Sequence, residues 1–295
     1  MRNKIKKIIY FSKNRIELPP GWSFGKIKKI GPFITRATLK NPENKLIYWE
    51  SREARKHHFS LDKSLGSTWW APGAIGWWIG ILFAIGSVFF ALGSFPPYHS
   101  MVGNFYNGLT FFIGSLFFTS AAFLQYLETI NSPHQPPGQK LKEKFHLISL
   151  EPRRIDWWSS IVQFIGTLFF NMNTLESMRS LSTTQINHLV WYPDIFGSIC
   201  FLIASGLVWM EVGHSLLSWN PHSISWRIAL LNILGSIAFG VSAVSAYVIP
   251  ATGLLKNEFL VATGTFIGAV CFFIAAILLL PERTCENEKV SPITK

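Results

Sequence analysis

Three glutamates are the residues whose type and spacing could do chemistry. Glu128, Glu211 and Glu282 each stand fourteen residues after a glycine (Gly114, Gly197, Gly268) and seven after an alanine (Ala121, Ala204, Ala275). Spacings of 7 and 14 hold glycine, alanine and acid on one stripe of a helix. Each glutamate closes an apolar run at its C-terminal end, where the helix dipole disfavours an anion by about 0.3–1 kcal/mol. Carboxylates so placed either ring a mouth, concentrating cations or relaying protons, or are held in ion pairs. Pairing is the favoured reading, because a charge at interfacial depth is tolerated without a functional reason. The basic partners on offer are Arg153, Arg154, Arg227, Arg283 and the SREARK stretch from Ser51 to Lys56.

A second polar set lies deeper. Gln163 and Asn232 precede Gly166 and Gly235 by one turn, Phe83 occupies the matching place before Gly86, and Asn173 follows Gly166 by two turns. Polar groups on a helix-packing face make interhelical hydrogen bonds worth about 0.6–2 kcal/mol. The alternative is a polar lining for a pathway.

These residues sit in a chain of 295 residues that is 49% hydrophobic and 15% aromatic. A bilayer core takes about 20 apolar residues per helix, and six windows qualify: 73–94, 107–127, 157–175, 194–212, 226–249 and 258–281. The first, third and fifth share one text, IGWWIGILFAIGSVFF, IDWWSSIVQFIGTLFF and ISWRIALLNILGSIAF. Each reads Ile, a small or capping residue (Gly76, Asp156, Ser225), then Trp, with Gly-Ser or Gly-Thr nine residues later. The small residue is expected to cap the helix. Trp77, Trp157 and Trp226 are expected to anchor the first turn at the headgroup level. The glycine pairs Gly86/Gly114, Gly166/Gly197 and Gly235/Gly268 are expected to bring helices close, since packing in lipid favours small residues.

The even windows carry the glycine–alanine–glutamate stripe, so the sequence describes a two-helix unit written three times. The expected fold is an all-α membrane protein of six transmembrane helices, built as three parallel hairpins about an axis along the membrane normal. Its parts are a basic N-terminal region (1–70), hairpins over 71–130, 151–215 and 220–283, a Pro-rich linker (131–150) and a tail (284–295).

The net charge is +11, and residues 1–70 hold sixteen Lys/Arg against five acids. The segments after windows one, three and five carry almost none, which puts both termini in the cytosol of a cytoplasmic membrane. Juxtamembrane basic charge meets anionic lipid headgroups, so the bilayer is the expected partner and nucleic acid is not. No cleavable signal is expected, because the first long apolar run starts about seventy residues in. Within the N-terminal region, FITRATLK and KLIYWES flank NPEN and predict a β-hairpin turning at Asn41–Asn44; SREARKHH begins a short helix.

No Walker A, HExxH, GxSxG or CxxC run occurs, and Cys200, Cys271 and Cys285 lack metal or redox spacing. His57 and His58 are neighbours and so point apart. No enzyme, metal or cofactor is expected. The motifs GSVFF, GTLFF, IGSLFF and FGSICF, set in a hairpin with Trp, resemble the YrhK-like domain of prokaryotic membrane proteins. The resemblance covers about 71–282 and implies a membrane location and a two-helix unit, with no activity to carry over. Two functions follow: a non-enzymatic membrane scaffold or interaction protein, or a small conduit for a proton, cation or solute along the repeat axis.

Overall fold

The computed structural model describes residues 10–11, 18, 20–58, 69–132 and 145–285. Among these, six helices reach at least 19 residues: α2 (Ile75–Gly93), α3 (Pro96–Ile130), α4 (Ile155–Glu176), α5 (Thr183–Gly213), α6 (Ile224–Ser245) and α7 (Glu258–Cys285). Five are long and apolar enough to cross a bilayer, which makes this a helical membrane protein. The exception is α4, which carries Asp156, Gln163, Asn171, Asn173 and Glu176 along its length.

The long helices pack in chain order, each on the next, and α7 returns to α2, closing a ring. Close approach depends on glycine. A Cβ added to Gly86 would lie 2.9 Å from the Gly114 carbonyl oxygen, one on Gly197 3.2 Å from that of Gly166, and one on Gly235 3.1 Å from that of Gly268. The outer surface is apolar, with Val88, Leu116, Ile165, Leu168, Ile203, Ile237 and Ile267 exposed.

Helix ends depart from the expected windows for local reasons. α3 starts at Pro96 rather than in the 107 region, because Pro fits the first helical turn, and it kinks at Gly103 (φ 78°). α5 starts at Thr183 because Ser182 and Gln185 form a reciprocal capping box. Its next residues, Ile186–Trp191, are π-helical, and there the Asn187 amide bonds both backbone groups of Val248 in the α6–α7 loop. The expected capping residues are corrected by two positions: the N-caps are Ala74, Arg154 and Ser223, and Gly76, Asp156 and Ser225 are the second helical residues.

The N-terminal region forms a three-stranded antiparallel sheet, β2 (Ser23–Ile30), β3 (Phe33–Lys40) and β4 (Leu46–Glu50). The β3–β4 hairpin turns over Asn41–Asn44, with Lys45 N–H donating to the Asn41 side chain. Ala37, Leu39 and Trp49 form its core, covered by Trp22, Ile34, Ile47 and Ala54. Helix α1 (Ser51–His58) follows Glu50 without a loop, so the helix continues directly from the sheet. A short parallel pair, β1 (Tyr10–Phe11) with β5 (Ser149–Leu150), ties the N-terminal region to the entrance of α4.

Candidate functional site

The site is built on α1. Ser51, Arg52, Arg55 and Lys56 fall at spacings of three, four and five, which clusters their side chains on one side of the helix. That side meets the ends of α3, α5 and α7, and the three glutamates converge on it. Glu211 accepts from Ser51 Oγ (2.6 Å) and from both terminal nitrogens of Arg55 (3.3 Å each). Glu282 accepts from Arg52 Nε (2.6 Å) and from Ser225 Oγ (2.8 Å). Glu128 pairs with Lys56 Nζ (2.8 Å). Asp156 supplies a fourth carboxylate, 2.8 Å from Arg55, and is also gripped by Arg154, which reaches Glu151 (2.8 Å) and Ser132 (2.8 Å) as well.

The carboxylates and Arg55 are out of water, with Arg154 and Lys56 partly exposed at the margin. Glu128 and Glu211 are 1% exposed, Glu282 and Asp156 2%, and Arg55 4%. Burial alone would make the Arg55 guanidinium easier to deprotonate, but Glu211, Asp156 and Glu128 outweigh it and hold its pKa above the ordinary value. Arg154 is raised in the same way: burial is opposed first by Asp156 and then by Glu151. Buried charges of this kind survive only when paired and hydrogen-bonded. Among the named partners, Arg153 and Arg227 are exposed, and the Arg283 side chain lies outside the described residues.

Beneath α1 is a cavity of about 40 Å³, room for about one or two waters. Its lining comes from matching sequence positions. Phe83, Gln163 and Asn232 come from matching places on α2, α4 and α6; Gln125, Val208 and Leu279, each three residues before a glutamate, come from α3, α5 and α7; Arg52, Arg55 and Lys56 form the lid. Gln125 donates to Gln163 (3.1 Å). Asn173 is not part of this lining; it lies half-buried near the other end of α4.

Below the cavity the axis is filled by six phenylalanines. Phe90, Phe170 and Phe239 each follow Gly86, Gly166 or Gly235 of α2, α4 and α6 by four residues, and Phe118, Phe201 and Phe272 each follow Gly114, Gly197 or Gly268 of α3, α5 and α7 by four. All six are 3–6% exposed. Their rings meet mostly edge to face, at centroid distances from 5.1 Å (Phe170–Phe201) to 6.4 Å (Phe90–Phe170).

The tryptophans are corrected. Trp77, Trp157 and Trp226, expected as headgroup anchors, are 7%, 7% and 3% exposed. Each ring is covered by its own incoming chain, and each indole donates to the carbonyl eight residues earlier: Trp69 (2.8 Å), Ser149 (2.9 Å) and Ser218 (3.1 Å). The neighbours Trp78 and Trp158 are the exposed ones.

Sequence reasoning missed the charge role of Asp156, assigned there only to capping. The signal was Arg154 two residues before it. Among the described residues no group of three or more His, Cys, Asp or Glu is placed to hold a metal ion. No family model matches the chain, and neither a curated protein nor a solved structure matches it.

Proposed function

We propose that the protein is a non-enzymatic, multi-pass membrane platform that holds a basic β-sheet module on the cytosolic face of a cytoplasmic membrane. In this reading all six long helices cross, α4 with Gln163, Asn171 and Thr174 hydrogen-bonded to α3, and the chain is three parallel two-helix units resembling YrhK-like hairpins. Both termini lie on the cytosolic side, where the basic residues are. The observation that carries the proposal is the grip of three glutamates, one from each hairpin, on the single helix that continues strand β4. A bundle that devotes three acids at matching sequence positions to one docked helix is organised to present what that helix carries. The sheet offers Lys26, Lys28, Lys29 and Lys40 on exposed positions, a surface suited to anionic headgroups or an acidic partner.

The platform reading expects no transport. Purified protein in liposomes should pass protons and monovalent cations no faster than empty vesicles, and the Glu128/Glu211/Glu282→Gln variant should behave alike. Flux in the wild type that is lost in the triple variant would replace the platform with a conduit. The conduit reading keeps one observation in its favour, the polar cavity under α1. It expects Arg52/Arg55/Lys56→Ala to raise flux by unseating the lid, whereas the platform, closed below by the phenylalanines, expects none.

A further inference from the structure

We propose that the three segments leading into α2, α4 and α6 are apolar fingers that seat together in the headgroup–acyl boundary of a phospholipid leaflet, forming a collar around the α1 end of the bundle. Each finger carries large apolar side chains that stay more than half exposed: Trp69 (55% exposed) and Trp70 (68%) before α2, Phe145 (62%) and Leu147 (62%) before α4, Leu216 (72%), Leu217 (90%) and Trp219 (82%) before α6. A soluble surface rarely displays such a set.

The fingers are fixed in position. The Trp77, Trp157 and Trp226 indoles each hold the finger's backbone eight residues upstream. A second latch backs the first two: Trp78 Nε1 donates to Pro72 O and Trp158 Nε1 to Pro152 O, each at 2.9 Å. The same latch at the same register on three helices that start at the same end puts the apolar tips at one level around the bundle. They are continuous with the lipid-facing exterior through Trp78 and Trp158, 45% and 40% exposed. Exposed Arg153 and Arg227 stand beside the second and third fingers, where phospholipid phosphates would lie. Apolar tips, indoles and arginines at one level are the pattern of a surface set into the bilayer interface. The occupant is therefore lipid rather than a second protein.

The test uses the full chain with Cys200, Cys271 and Cys285 replaced by Ser and one cysteine added at Trp70, Leu147 or Leu217. These positions are exposed, so a nitroxide label is accommodated. In phosphatidylcholine–phosphatidylglycerol vesicles all three labels should collide with oxygen several-fold more than with a water-soluble nickel chelate. A label at Tyr48, 59% exposed on the sheet, should show the reverse. Nickel accessibility at the fingers equal to that at Tyr48 would overturn the proposal, because the tips would be in water. Low collision with both reagents would also overturn it, in favour of a second protein copy covering them.

Discussion

The ionic socket around α1 and the phenylalanine core below it both draw on matching sequence positions that recur along the long helices, yet they use them differently. In the core every repeat contributes the same residue at the same place: one Phe four residues after each of six glycines. In the socket the matching acids have different partners. Glu128 takes Lys56, Glu211 takes Arg55 and Ser51, and Glu282 takes Arg52 and Ser225. A single helix cannot present the same face to three glutamates, so docking α1 breaks the equivalence that packing preserves. Repetition specifies the bundle; the one segment that is not repeated specifies what the bundle holds.

The largest test of that contrast is Arg55→Ala. It leaves Glu211 and Asp156 buried with too little positive charge, and should lower unfolding stability in detergent by about 3–5 kcal/mol. Gly166→Leu attacks the other side of the comparison. A Cβ there already falls 2.9 Å from both Cys200 Cβ and the Phe201 ring, so forcing α4 from α5 should cost about 1–3 kcal/mol, read as a lower Tm.

The sharper test is a pair of series. Phe118→Leu, Phe201→Leu and Phe272→Leu should each cost about 1 kcal/mol and agree closely with one another. Glu128→Gln, Glu211→Gln and Glu282→Gln should not agree. Glu211 should be most costly, because it serves both Arg55 and Ser51, and Glu128 least, because Lys56 can turn to solvent. Three equal glutamate effects would dissolve the contrast.

The smallest effect is at the hinge between sheet and bundle. Glu50 lies 3.4 Å from His214 and 2.6 Å from Arg36. Burial pushes its carboxyl up, but nearby His214 and the Arg36 guanidinium outweigh burial and hold it below the ordinary glutamate value. A depressed folded pKa contributes stability that is present above about 4.5 and lost as pH falls through the folded value. The stability difference between wild type and Glu50→Gln should thus be constant near neutrality and shrink below about pH 4.5. A difference that grows on acidification would refute the assignment.

Much of the bundle was legible because its rules are local and repeated. The glycine pairs and the acid stripe are visible as spacings, and the helices follow the apolar windows to within a few residues wherever no proline or capping box intervenes. The β3–β4 hairpin was legible from NPEN, but β2 was not: Gly25 and the run Lys26-Ile27-Lys28-Lys29 break strand alternation, and the strand forms with bulges against β3. The socket was legible only as a set of candidates. Arg52 and Glu282 are 230 residues apart, and nothing in spacing alone selects SREARK over Arg153, Arg227 or Arg283. The tryptophans misled for a related reason. An amphipathic ring in the first turn suits the headgroup level, but eight upstream residues fold back over it, and that return is a property of the loop.

The reach of those ion pairs also sets an order of events during synthesis. α1 and its sheet leave the ribosome early, while their last counter-charge, Glu282, emerges 230 residues later. At typical elongation rates of about 5–20 residues per second, that interval is on the order of ten seconds or more. Throughout it, Arg52 lacks the Glu282 carboxylate it holds in the finished fold. The socket around α1 is therefore complete only once α7 has been made: Ser51, Arg55 and Lys56 find their carboxylates earlier in the chain, and the Arg52–Glu282 pair comes last.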